Sequence, residues 1–125
     1  MKLKNSLYTV IRQENDGFTW CYDLQLDASH VIYQAHFPGQ PITPGVCIIQ
    51  IAKELLEDAT GKQLDVQRLK NVKFLSVLSP VEIPAATYLI NKITHEEDGY
   101  QAQVEVKASD TSLAKISFSC KTKEN

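Results

Sequence analysis

One stretch of the chain carries a helical pattern long enough to cross a domain, and the rest must be arranged around it. From Val46 to Ala59 apolar residues recur at three- and four-residue spacing. At about 100° per residue, Ile48, Ile49, Ile51, Ala52, Leu55, Leu56 and Ala59 share one broad face. Gln50, Lys53, Glu54, Glu57 and Asp58 share the other, which reads as a solvated stripe. Val46 and Cys47 are apolar but lie toward the polar side, so the helix is expected to be covered all round at its N-terminal end. Thr43 is a good N-cap, Pro44 suits the first helical position, and Gly61 is a natural stop. The helix is predicted from about Pro44 to Ala59.

Nearly everything else reads as strand. Leu7 to Glu14 and Phe18 to Asp27 are β-branched and aromatic runs, joined by Glu14-Asn15-Asp16-Gly17, which tolerates positive φ and predicts a hairpin. Val31-Ile32-Tyr33 is expected to be a short extended piece. After Gly61 come Gln67 to Leu78, Thr87 to His95, Tyr100 to Ser109 and Leu113 to Lys121. Tyr100, Ala102, Val104, Val106 and Ala108 alternate with Gln101, Gln103, Glu105 and Lys107. That is the period of a strand with one buried face. Ala114, Ile116, Phe118 and Cys120 repeat it. The turns at Glu96-Glu97-Asp98-Gly99 and Asp110-Thr111-Ser112 join the last strands as an antiparallel meander. One long helix covered by one antiparallel sheet is an α+β architecture. With 125 residues and no linker or repeat, residues 1–125 are expected to form a single domain.

Composition excludes several classes. Hydrophobic residues make up 43% and charged residues 22%, the ordinary globular range. Apolar runs fall far short of the roughly 20 residues that a membrane span needs. Thirteen basic against fifteen acidic residues give a net charge of -2, so no basic excess points to nucleic acid. The N-terminal residues lack the apolar core of a signal peptide, and a cytoplasmic location is expected. Cys21, Cys47 and Cys120 are odd in number, far apart and without a C-x-x-C, which reads as free and mostly buried thiols. His30, His36 and Cys47 match no metal-ligand spacing, and no metal is expected. His95 is expected at an exposed strand end. Ser76, Ser79, Ser117 and Ser119 lack a nucleophile-elbow context.

The chemistry concentrates in His36-Phe37-Pro38-Gly39-Gln40-Pro41-Ile42-Thr43-Pro44-Gly45. Three prolines and two glycines fix an irregular loop. It ends on a helix N-terminus, whose backbone N–H groups are unpaired and electropositive. Pro44 has no N–H, and the Thr43 hydroxyl can satisfy Val46. Gly45 N–H is then left open on a residue with no Cβ, a seat for a carbonyl oxygen that gains negative charge. A histidine on the same loop could move a proton beside it.

These residues, continued by Val46 and an apolar helix, resemble the H-F-P-G-x-P-x-x-P-G-V signature of the 3-hydroxyacyl-acyl-carrier-protein dehydratases of the hotdog fold. The resemblance implies a curved sheet wrapped around the helix, and a dimer with two sites shared between subunits. It implies an acyl thioester substrate, on acyl carrier protein or coenzyme A, and a place in fatty-acid or related lipid synthesis. No cofactor is implied, because the thioester itself acidifies the α-proton. His36 becomes the base or acid, Gly45 N–H the donor to the thioester carbonyl, and Phe37, Val46 and the helix face the seat of the acyl chain. The family's helix carboxylate should lie at position 50 and its glutamine at 54. This chain has Gln50 and Glu54. A glutamine can hold a hydroxyl but has no carboxyl proton to give. Three readings stand: Glu54 replaces the acid; His36 works alone while Gln50 orients the hydroxyl; or the chain has lost the activity. In the third it binds acyl groups beside an active hotdog partner. A hotdog thioesterase, with Glu54 activating water, is a further alternative. Arg68, Lys70 and Lys73 either meet an acidic carrier or are simply a solvated strand.

Overall fold

A computed structural model describes residues 2–123. Six strands form one antiparallel sheet: β1 (Tyr8–Asn15), β2 (Trp20–Leu26), β3 (Leu64–Phe74), β4 (Ala85–His95), β5 (Gly99–Ala108) and β6 (Thr111–Thr122). Their spatial order is β1-β2-β4-β5-β6-β3. The hairpin β1–β2 and the meander β4–β5–β6 match the sequence pattern. The return of β3 to pair with β6, Leu64 opposite Thr122 through Phe74 opposite Ala114, is a long-range pairing that no local turn announces. Extra residues bulge the ladder at Ile11 in β1, at Gln67 and Lys70 in β3, and at Asn91 in β4. Such bulges sharpen strand twist and bend.

The long helix, α2 (Gly45–Thr60), ends where Gly61 adopts φ 70° and returns its N–H to Glu57 O. Ile48, Ile51, Ala52, Leu55 and Leu56 are buried among Leu24, Tyr88, Ile90, Val104, Val106, Ile116 and Phe118 of the sheet. Three buried tyrosines fix the helix along its length. Tyr88 Oη donates to Ile48 O at 3.1 Å, Tyr8 Oη to Glu54 Oε1 at 2.9 Å, and Tyr22 Oη to Asp58 Oδ2 at 2.9 Å. Burial pushes all three phenols up, and the facing carboxylates push Tyr8 and Tyr22 further. They therefore remain donors.

Three local expectations are corrected. Residues 31–35 are not extended but form a short helix, α1 (Val31–Ala35). The His30 ring caps it by accepting from Ile32 N at 3.1 Å. β-Branched Val31 and Ile32 favour a strand, and the cap overrides them. Thr43 is not the N-cap of α2. Its hydroxyl is 2.8 Å from Tyr33 Oη and its N–H donates to Leu78 O. Pro44 occupies the cap position with no side-chain cap bond. The helix N-terminus is also not covered all round: Cys47 is buried, but Val46 is exposed.

Cys47 and Cys120 are buried, Cys21 is half-buried, and all three are free. Burial pushes the Cys120 thiol up to about 12. Among the described residues no helix is long and apolar enough to cross a membrane.

Candidate active site

The loop between α1 and α2 is held at both ends. His36 N donates to Ile32 O, Ile42 N donates to His36 O at 2.7 Å, and Phe37 and Gln40 exchange backbone hydrogen bonds across a tight turn. The Thr43 bonds to Tyr33 and Leu78 anchor its far end to the core. This explains why the stretch needs its composition: Gly39 sits at φ 78°, which L side chains resist. The peptide between His36 and Phe37 is cis.

His36 is exposed, and its Nδ1 lies 3.3 Å from Ile32 O. A carbonyl can only accept, so in the neutral ring Nδ1 carries the hydrogen and Nε2 keeps the lone pair. The loop thus presents a base. At its other end, Cys47 N and Ile48 N both donate to Pro44 O. Gly45 N and Val46 N have no hydrogen-bond partner among the described residues. The open pair is one N–H larger than the sequence reading, because Thr43 is turned toward Tyr33. Two N–H groups at the positive end of a helix can receive an oxygen that gains charge. A Cβ on Gly45 would stand 2.8 Å from the Phe74 ring, so this position packs directly under the end of β3. Phe37 and Val46 flank the loop and are exposed. The apolar face of α2 is filled by the sheet and offers no open track within one chain.

Gln50 and Glu54 sit one turn apart, and Gln50 Nε2 donates to Glu54 Oε2 at 2.9 Å. Glu54 is not a solvated residue: it is 8% exposed. Its Oε2 also accepts from Leu3 N at 2.8 Å, and its Oε1 accepts from Lys4 N and Tyr8 Oη, each at 2.9 Å. A carboxylate has about four lone-pair positions, and here each has a donor. Residues 2–4 cover the helix stripe that periodicity assigns to solvent. Nothing in the local pattern around Glu54 could have revealed that. A groove beside this pair is lined by Lys2, Lys4, Lys53 and Lys62 among others, and His36 does not line it. Within one chain the structure brings Gln50 to Glu54 and His36 to neither. His95, stacked on Tyr100, is exposed, as are Arg68, Lys70 and Lys73 along β3.

The family model described as ApeI-like, ApeI dehydratase, matches residues 11–112. The 3-hydroxyacyl-(acyl-carrier-protein) dehydratase FabZ of Clostridium acetobutylicum is 34% identical over 59 residues, a stretch that is 42% of this chain and 42% of that enzyme. Among solved structures, the dehydratase heterocomplex ApeI:P from Xenorhabdus doucetiae has a TM-score of 0.66 at 22% identity, over 90% of this chain and 96% of that one. A thioesterase-like protein, yhdA of Lactococcus lactis, has a TM-score of 0.61 at 12% identity, over 94% of this chain and 92% of that one. At these identities the structural matches establish a shared hotdog fold.

Proposed function

This chain belongs to the ApeI-like dehydratase family, and from that membership we propose that it removes water from a (3R)-3-hydroxyacyl thioester to give the trans-2-enoyl thioester. The observation that carries the reading is one loop with an imidazole base at one end and two unpaired N–H groups at the other. His36 Nε2 takes the C2 proton. Gly45 N–H, joined by Val46 N–H, holds the thioester oxygen as it gains enolate charge. Gln50 orients the 3-hydroxyl, and the imidazolium returns its proton to that oxygen. C2–H and C3–O break, C2=C3 forms, and water leaves. Phe37 and Val46 flank the acyl chain. Of the three readings of the helix pair, this geometry favours His36 with Gln50. Glu54 has no lone pair left for substrate, which also weighs against a thioesterase. The family resemblance supports a role in fatty-acid or related lipid synthesis, with carrier protein or coenzyme A as the thioester.

The separation of His36 from Gln50 supports a site shared between two hotdog chains, either copies of this one or a related partner. β3 lies at the sheet edge, with exposed Leu69, Phe74, Leu75 and Val77 on it and just beyond it. Such an edge invites pairing. Purified protein given a 3-hydroxyacyl thioester is expected to form enoyl thioester without releasing free thiol, and to scatter light as at least a dimer. Thiol release would make it a thioesterase. A monomer with neither product would support the acyl-binding alternative, which the loss of the carboxylate at position 50 also favours.

A further inference from the structure

The family resemblance puts an acid at position 50 and an amide at 54, and this chain reverses them. The structure gives that reversal a physical role. An amide side chain can roll by half a turn, exchanging oxygen and nitrogen with little change of shape, so only its partners decide which way it sits. Gln50 Nε2 donates to Glu54 Oε2, an atom that can only accept. Rolling the amide would bring two acceptors into contact.

Glu54 is itself immobilised. Leu3 N and Lys4 N can only donate, and each binds a different carboxylate oxygen. Tyr8 Oη donates from β1, and burial together with the Glu54 charge keeps that phenol protonated. The Lys4 ammonium adds an ion pair to Asp58 at 3.8 Å, one turn further along the helix. The carboxylate is therefore held from three directions besides Gln50.

We infer that Glu54 is a positioning residue: a carboxylate anchored by β1 and the residues before it, which locks the Gln50 amide with nitrogen toward itself and carbonyl turned away. The lock rests on this geometry alone. What the fixed carbonyl does, accepting the O–H of the substrate's 3-hydroxyl, rests on the dehydratase reading. The pair thus keeps one N–H···O bond across the helix turn while reversing donor and acceptor relative to the family pattern.

The test has a spectroscopic arm and a kinetic arm. The side-chain amide resonances of Gln50 are assigned in ¹⁵N-labelled protein by their loss in Gln50→Ala. They are expected to shift from their wild-type positions in Glu54→Gln. In Tyr8→Phe, which removes a donor from the other oxygen, they are expected to stay in place. Should Glu54→Gln not fold, Glu54→Asp keeps the charge and withdraws it by one methylene, and the same movement is expected. In the kinetic arm, Glu54→Gln lowers kcat by roughly tenfold or more, about 1.4 kcal/mol of barrier. It has no further effect on kcat in a Gln50→Ala background, although both backgrounds lose thermal stability alike. Gln50 resonances unmoved in a folded Glu54 variant would overturn the lock. So would an undiminished kcat effect in the Gln50→Ala background. Resonances that move in a protein with no turnover would uphold the lock and remove the dehydratase reading instead.

Discussion

Replacing His36 by alanine is expected to lower the dehydration rate by about 10²–10⁴-fold, the range that a positioned acid or base supplies, while the protein stays folded. The expectation of intact folding follows from its surroundings. The side chain is exposed, and the ring makes one long hydrogen bond, Nδ1 to Ile32 O at 3.3 Å, and a tilted contact with the neighbouring Phe37 ring. The loop is held instead by backbone bonds at Ile42 and Thr43 and by the Tyr33–Thr43 hydroxyl pair, none of which uses the imidazole. Circular dichroism and thermal melting should therefore match the wild type while enoyl formation collapses. KM should change little, because the thioester oxygen and acyl chain are held by Gly45, Val46 and Phe37. An undiminished rate in folded His36→Ala would remove the histidine from the mechanism.

The opposite signature is expected at Glu54. Glu54→Ala strands Leu3 N, Lys4 N, Tyr8 Oη and Gln50 Nε2 without their acceptor. Leaving a buried donor unsatisfied costs about 1–3 kcal/mol. A hydrogen bond to a charged group is worth about 1.5–3 kcal/mol. The groove beside Lys4 and Lys53 lets water reach part of the site, which holds the loss to about 3 kcal/mol rather than the full sum over four donors. For a domain of this size that lowers Tm by about 10 °C. Tyr8→Phe removes one of the four donors and should cost about 1 kcal/mol. Scanning calorimetry or urea unfolding reads both. A Glu54→Ala protein as stable as wild type would mean that residues 2–4 do not rest on the helix in solution.

The contrast between these residues also shows how far the sequence could be read. The β5 and β6 patterns, from Ala102 to Val106 and from Ala114 to Cys120, are local in origin. Their alternation states directly which side is buried, and the structure follows it. Gly61 likewise ends the helix by its own backbone freedom. The loop from His36 to Gly45 was legible because prolines and glycines at fixed spacing leave few conformations and match a family signature.

What stayed hidden was long-range or competitive. Whether Val31-Ile32-Tyr33 became strand or helix turned on a histidine cap that composition does not advertise. The return of β3 to the far edge beside β6 has no local turn to mark it. Thr43 has the right chemistry for a cap, but Tyr33, ten residues earlier, claims its hydroxyl. Glu54 is the sharpest case. Helical periodicity puts it in a polar stripe with Lys53, Glu57 and Asp58. Three of its four partners lie 46 to 51 residues away in sequence. The helix wheel describes one element in isolation, and the burial of Glu54 is decided by another.

The central claim is that His36 exchanges a proton with C2 of an acyl thioester, and the reverse reaction tests it most directly. The protein is given a trans-2-enoyl thioester in D₂O, and the 3-hydroxyacyl product is analysed by mass spectrometry after its hydroxyl has exchanged back to hydrogen. The account predicts a product carrying one deuterium, placed at C2, and no such product with His36→Ala. Free thiol with no hydrated product, or a C2-deuterated product formed equally fast by folded His36→Ala, would contradict it.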